Sequence, residues 1–458
     1  MPRKPWSSPW LVAGAFAAAA AVVSWLGAVL ADRPGIDAAA APIATRIGLM
    51  LGFGACAAMA AVAYLRALDS HDGSGLVDRR LVHAAIAIHV VAALALPLTS
   101  DDVFSNLAYG RLAHLGTNPY LAGPAALPAG DPFAILVGAR WTATPSVYGP
   151  FATMLDAIIV GGRGVWPALV AFKLVLLATS LGTVAIAWRV CRERPAVFIA
   201  VAWNPLLAWE ISAQAHNDGL LVVAMAAAVW VGTKRSEVLA AVLAGIAVLI
   251  KLAAAPILAL QLWALLRRSP ARAIAASLII AALAVASFAI YWAGLATLQA
   301  PLLAAGGEPG RTARSLVDLV RLAAEPLGVA SIAYHVLWAA GVVVLVVAFV
   351  RAMIRTSTFS DAMHESIVVM IVWNLVTPWF QPWYAVWLLP LVMIERDART
   401  IRLVAIYTAL LVVQYALPID PITNVAIDAW VVIEALSIRR QDRRVDSEKP
   451  GAVGNRRS

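Results

Sequence analysis

Charged side chains are scarce in this chain. Asp, Glu, Lys and Arg together make up 13% of its 458 residues, about half the share of an ordinary soluble domain. A soluble protein of this length would lack the polar surface to stay dispersed. With 62% of residues hydrophobic, lipid must be the solvent for much of the chain. Cysteine is nearly absent as well. Cys56 falls inside one apolar run and Cys191 just after another, which excludes a disulfide framework. Neither stands in a Cys-x-x-Cys or Cys/His cluster, so no zinc or iron–sulfur site is indicated. Outside the polar stretch at His216, the histidines (His71, His83, His89, His114, His335 and His364) show no metal-ligand spacing.

Long apolar runs dominate instead. A helix needs about 20 apolar residues to cross the hydrocarbon core, and runs at 10–31, 43–65, 81–98, 166–190, 271–294 and 328–350 meet that length. The first follows Arg3 and Lys4 in the manner of a signal peptide. It is too long for one and is followed by many others, so it reads as the first membrane helix. Other runs are short or interrupted. Segments 196–211 and 217–232 flank His216-Asn217-Asp218, and 365–377 and 383–394 meet at Pro378–Pro382. The run 237–266 exceeds one crossing and carries Lys251 near its middle, which predicts two short helices meeting there. With 400–416 and 423–438, about 14 segments make an all-α polytopic membrane protein whose single transmembrane domain is 1–438.

The net charge of +9 would point to nucleic acid in a soluble protein. Here it follows topology. With a cytoplasmic N-terminus and alternating crossings, about 25 of the 35 basic residues fall in cytoplasmic segments, as the positive-inside rule requires. Attraction to anionic lipid accounts for the rest of the bias. Two long loops then lie outside, 99–165 and 295–327, and loops of that length are usually functional or disordered. Within the first, 103–115 predicts a short helix along the membrane surface. The basic tail 439–458 is expected to be disordered and cytoplasmic. No internal repeat of transporter type is visible.

Five constellations bear chemistry. The adjacent acids Asp101 and Asp102 stand where a helix leaves the membrane. A carboxylate facing apolar surroundings there has a raised pKa, which suits a general base; capping of the helix near Val103 by Ser100 or Asp101 is the structural alternative. Glu210, His216 and Asp218 surround one polar turn between short helices, where ionisable groups face a cavity or a partner. Asn or Asp capping is the alternative there. Lys251 lies alone in an apolar stretch, placed either to snorkel or to face a phosphate. Arg311, Arg314 and Arg321 share one face of a helix in the second loop, ready for lipid headgroups or a lipid phosphate. Gln381, Trp383 and Tyr384, with Trp379 and Trp387, form either an interfacial aromatic belt or a platform for a sugar ring.

Taken in order, these residues resemble a known family. Ser100-Asp101-Asp102-Val103-Phe104, Tyr109-Gly110-Arg111, Gly116 and Asn118-Pro119-Tyr120 are similar to the first-loop signature of polyprenol-phosphate-mannose-dependent α-1,6-mannosyltransferases. Tyr148-Gly149-Pro150, Trp203-Asn204-Pro205 with Glu210 and His216-Asn217-Asp218, Lys251-Leu252 and Gln381-Pro382-Trp383-Tyr384 resemble later blocks, over about residues 97–390. The resemblance implies a GT-C-type fold of about 12–14 membrane helices, with short interfacial helices in two outer loops, in a bacterial plasma membrane. It implies a polyprenyl-phosphate sugar donor, a glycan or glycolipid acceptor on the non-cytoplasmic face, inversion at the anomeric carbon and an Asp general base. That base is Asp102 by the Asp-Val-Phe match, with Asp101 the alternative. Arg111, His216, Lys251, Arg311 and Arg314 become candidates for the donor phosphate. Tyr109, Asn118, Tyr120, Tyr148, Glu210, Asn217, Asp218, Gln381, Trp383 and Tyr384 become candidates for substrate. No metal or other cofactor is expected, because a phosphodiester-linked donor carries less charge than a nucleotide-diphosphate sugar. One departure is Asn106, where family members often carry tyrosine; it bears on substrate identity more than on reaction class.

Two other classes compete. A transporter or flippase of lipid-linked sugar would use the same polar cavity, but it calls for ion sites at the bilayer midplane and repeat symmetry. An inactive scaffold would tolerate replacement of both Asp101 and Asp102.

Overall fold

The computed structural model describes residues 43–71, 75–97, 99–305, 313–416 and 421–448. The expected helix at 10–31 and Arg311 lie outside them. The described residues are helical apart from loops and one isolated bridge between Ala313 and Trp379. In chain order the helices are α1 Ile43–Ser70, α2 Arg79–Ala93, α3 Asp102–His114, α4 Pro150–Val160, α5 Val165–Val190, α6 Pro195–Ala213, α7 Asp218–Thr233, α8 Glu237–Ile250 and α9 Ala255–Arg268. They continue as α10 Pro270–Ala289, α11 Ala296–Ala305, α12 Leu316–Ala324, α13 Ala330–Arg355, α14 Phe359–Val376, α15 Pro382–Val392, α16 Ala398–Val413 and α17 Ile422–Glu448. Among the described residues, six helices are long and apolar enough to span a membrane, and the chain is a multi-pass membrane protein. Three features depart from the sequence reading. Arg314 precedes α12 with its backbone in the left-handed region, so it does not share a helix face with Arg321. A helix, α4, forms inside the first loop, and α17 continues to Glu448 through an Arg-rich stretch, arginine having good helix propensity.

Burial separates the helices by role. Helices α10 and α13 expose most of their length and meet lipid, whereas α6 is buried almost throughout. Helix α6 is also the least regular. Pro205 has no N–H to continue the helix, and the Asn204 carboxamide caps the restart by accepting from the Leu206 and Leu207 N–H groups at 3.1 and 3.2 Å. The Asn204 amide donates to Thr408 Oγ1 at 2.8 Å and to the Tyr64 hydroxyl at 3.2 Å. The Trp203-Asn204-Pro205 block therefore ties α1, α6 and α16 together. From Ala208 to Ala213 the helix widens to a π-turn, a feature frequent at functional sites. It ends at Ala215 in the left-handed region, φ 61°. Lys173 of α5 donates to the Ser212 and Ala213 carbonyls at 3.3 and 2.5 Å, a cation where the helix dipole is negative.

The 237–266 run breaks at Lys251, as its length predicts. Pro256 in the first turn of α9 removes the N–H that an unbroken helix would need, and Lys251 is extended at φ −152°, ψ 123°. The freed Ile250 carbonyl accepts from the Gly149 N–H at 2.8 Å. A Cβ on Gly149 would lie 2.0 Å from the Leu249 carbonyl oxygen, so only glycine lets the Tyr148-Gly149-Pro150 turn approach this break. Gly110 plays a similar part where α3 crosses α4: a Cβ there would fall 2.4 Å from the Asp156 carbonyl oxygen.

The loops sort to two ends. At one end the Val77 N–H reaches the Arg192 carbonyl at 2.8 Å and Arg267 reaches the Thr356 carbonyl at 2.9 Å. There too Arg268 pairs with Glu237, Arg402 with Asp69 and Arg194 with the Glu395 carbonyl. Most basic residues outside the described termini gather there. At the other end the Thr99 N–H reaches Gln214 at 2.8 Å, Asn118 reaches the Tyr291 carbonyl at 2.6 Å, and the Ala313 N–H reaches the Pro378 carbonyl at 3.0 Å. Several of the polar and aromatic motifs singled out in the sequence converge at this second end.

Candidate active site

A cavity of about 260 Å³ opens at that end. Asp101 and Asp102 line it together with Lys251, Arg140, Arg314 and an aromatic wall. The acid pair sits at the start of α3, where the Asp101 side chain makes no capping hydrogen bond. The Asp102 N–H instead bonds Ser100 Oγ at 3.2 Å. Burial, and then the neighbouring Asp101 charge, push the Asp102 carboxyl up to about 7. A carboxylate in that range is suited to taking a proton near neutral pH.

Behind Asp102 lies a second layer. His216 is buried between two carboxyls, with Nδ1 3.6 Å from Asp102 Oδ2 and Nε2 3.3 Å from Glu210 Oε2. Trp383 stacks on its ring at 3.9 Å and 23°. Asn106 donates to the Asp102 carbonyl at 2.9 Å and accepts from the Asn217 amide at 3.0 Å. The residue that departs from the family pattern therefore helps fix α3 against the polar turn. Asp218 is buried and receives Lys251 Nζ at 2.9 Å on each oxygen, and Trp387 Nε1 at 2.6 Å. Lys251 also lies over the rings of Tyr148, Tyr384 and Trp387 at 5.8, 5.3 and 5.4 Å. It is a cation held in an aromatic box against a buried acid.

The predicted site residues separate into three groups. Asp101, Asp102, Tyr109, Tyr148, Lys251, Arg314, Gln381, Trp383 and Tyr384 line the cavity. Glu210, His216, Asn217 and Asp218 support it from behind. The remaining three described residues are engaged elsewhere. Arg111 pairs with Asp131 at 3.1 Å and lies over Phe133. Asn118 holds the Tyr291 carbonyl, and the Tyr120 hydroxyl bonds the Tyr148 carbonyl at 2.9 Å and Thr153 at 3.1 Å. These three shape the first loop. The sequence reading missed Arg140 and Trp141, which also line the cavity. Arg140 had one signal: it is a basic residue in a loop on the side that the positive-inside rule leaves poor in them. Among the described residues no group of three or more His, Cys, Asp or Glu is arranged to hold a metal ion.

A polytopic membrane protein with paired acids, a boxed lysine and an aromatic wall in one terminal cavity has the furniture of a membrane-embedded sugar-handling protein. Residues 7–267, more than half of the chain, match the family described as alpha-(1->6)-mannopyranosyltransferase, N-terminal domain, and the chain belongs to that family. The chain is 30% identical over 207 residues to alpha-(1->6)-mannopyranosyltransferase A of Corynebacterium glutamicum, covering 43% of this chain and 40% of that protein. It is 28% identical over 185 residues to alpha-(1->6)-mannopyranosyltransferase A of Mycobacterium tuberculosis, covering 38% and 34%. It is 31% identical over 139 residues to alpha-(1->6)-mannopyranosyltransferase B of Corynebacterium glutamicum, covering 28% and 23%. These alignments span less than half the length of each relative. No solved structure matches the chain.

Proposed function

We propose that the protein transfers a mannosyl residue from a polyprenyl-phosphate donor to a hydroxyl of a glycan or glycolipid on the non-cytoplasmic face of a bacterial plasma membrane. The observation that carries this reading is Asp102: a carboxyl raised to about 7, lining a cavity that also holds arginines and stacked aromatics. Asp102 takes the proton of the acceptor hydroxyl while its oxygen attacks the anomeric carbon. The bond from that carbon to the phosphate oxygen breaks on the opposite face, and its electron pair leaves with the polyprenyl phosphate. One displacement inverts the centre. His216, between Asp102 and Glu210, holds the base in place. Trp383, Tyr384 and Trp387 offer rings to the apolar face of a sugar. Sidedness rests on charge: the basic loops gather at the end away from the cavity, and basic loops are cytoplasmic.

The test uses membranes carrying the protein and radiolabelled polyprenyl-phosphate mannose. Label enters glycan with the wild type and falls about 10²–10⁴-fold with Asp102→Asn. Full transfer by both Asp102→Asn and Asp101→Asn would remove the base assignment. Movement of the labelled lipid across the bilayer with no transfer would favour a flippase.

A further inference from the structure

We propose that Asn374, Tyr407, Asn424 and Asp428 form a site for a monovalent metal cation that joins α14, α16 and α17 beside the cavity. All four side chains belong to buried residues. None of them lines the cavity, so the site stands apart from the transferase reading above.

Helix α17 supplies two of the four. Asn424 and Asp428 are one turn apart and share a face, which also buries Ile427 and Val431. The Asn424 amide donates to Asp428 Oδ2 at 3.2 Å. That bond leaves Asn424 Oδ1 and Asp428 Oδ1 without a hydrogen-bond partner. Tyr407 of α16 is within reach of the Asp428 charge and of the Asn374 side chain of α14. Yet the Tyr407 hydroxyl and both polar atoms of Asn374 make no hydrogen bond. Four oxygens from three helices are therefore buried together without a hydrogen-bond partner among the described residues.

Asp428 decides the class of ligand. Buried charges are paired or coordinate metals, and among the described residues no Lys, Arg or His pairs with Asp428. An ionisable residue at membrane depth marks a site by default. Carboxylate, amide and phenol oxygens are hard ligands, unsuited to a soft metal. A single carboxylate balances a single positive charge; a divalent ion would leave a second charge buried and uncompensated. The cation ties α16 and α17 to the helix that carries Trp373, which lines the cavity and meets Trp387 edge-on at 6.3 Å.

The test follows thermal melting of the full-length protein in nanodiscs of zwitterionic lipid. NaCl or KCl replaces choline chloride at constant ionic strength. Sodium, potassium or both raise the melting temperature saturably over choline, as a ligand of the folded state must. Tyr407→Phe keeps the ring and removes one oxygen, so the half-saturating concentration rises about tenfold. Asp428→Asn keeps the shape without the charge and abolishes the response. Asp69→Asn, at the basic end, leaves it intact. If Asp428→Asn does not fold, Asn374→Ala takes its place and weakens the response about tenfold or more. Equal melting in sodium, potassium and choline overturns the site. A response undiminished in the site variants overturns it as well, because the cation then binds elsewhere.

Discussion

At Asp102 burial and a neighbouring charge act in the same direction. Both disfavour ionisation, and both keep the group protonated at acid pH. Transfer through Asp102 therefore falls as pH drops through about 7 and levels off above it. Asp101→Asn removes the neighbouring charge, so the acidic limb of the pH–rate profile moves to lower pH; a limb that stays in place contradicts the coupling. Lys251 makes a different demand. Asp218 is buried, and removing its counterion leaves an uncompensated charge, which costs about 3–5 kcal/mol. Lys251→Met therefore lowers the melting temperature of the purified protein, and adding Asp218→Asn recovers most of the loss. A single variant that melts like wild type shows the pair to be dispensable. At this scale the sequence was informative about which residue types matter and less so about what each one touches. The acid pair, Lys251 and the Gln381–Tyr384 block reached the cavity. Arg111 did not, because its partner Asp131 lies 20 residues away along a loop whose path no local pattern specifies.

Among the elements, the breaks carry the function. Helix α6 is interrupted at Pro205 and ends within the bundle at Ala215, ahead of the polar turn, and α8 stops at Lys251, ahead of Pro256. Run length and Lys251 made the second break legible in advance, and the polar His216-Asn217-Asp218 stretch marked the end of α6; the interruption at Pro205 was not read from the sequence. The close approach of the first loop to the second break was not legible, because it depends on Gly149 meeting a carbonyl 100 residues later. Gly149→Ala forces a Cβ to within 2.0 Å of that oxygen and must push α8 and α4 apart. Transfer should fall at least tenfold while the protein still inserts, measured as activity per amount of protein in the membrane. Wild-type activity would show that the turn has room to move. Helix α4 escaped the sequence reading because its apolar residues stand in a short stretch after two prolines, too brief for a crossing.

For the molecule as a whole, the separation of charge between its two ends is the basis for the proposed outward-facing cavity. The native cysteines are buried, so a membrane-impermeant thiol reagent has no background. In intact cells it should label Ala129→Cys in the exposed part of the first loop and leave Glu193→Cys, at the basic end, unlabelled until the membrane is opened. The reverse pattern puts the cavity in the cytosol. Many of the apolar helices were legible from the apolar runs because membrane thickness acts on the chain locally. How the two outer loops fold over each other, pairing Ala313 with Trp379, was not. The most direct test of the whole account is a single-turnover assay with purified protein, labelled polyprenyl-phosphate mannose and acceptor. Donor binding and transfer are followed together for wild type and Asp102→Asn. The account predicts that the variant binds donor as wild type does and transfers at least a hundredfold more slowly; equal transfer rates would contradict it.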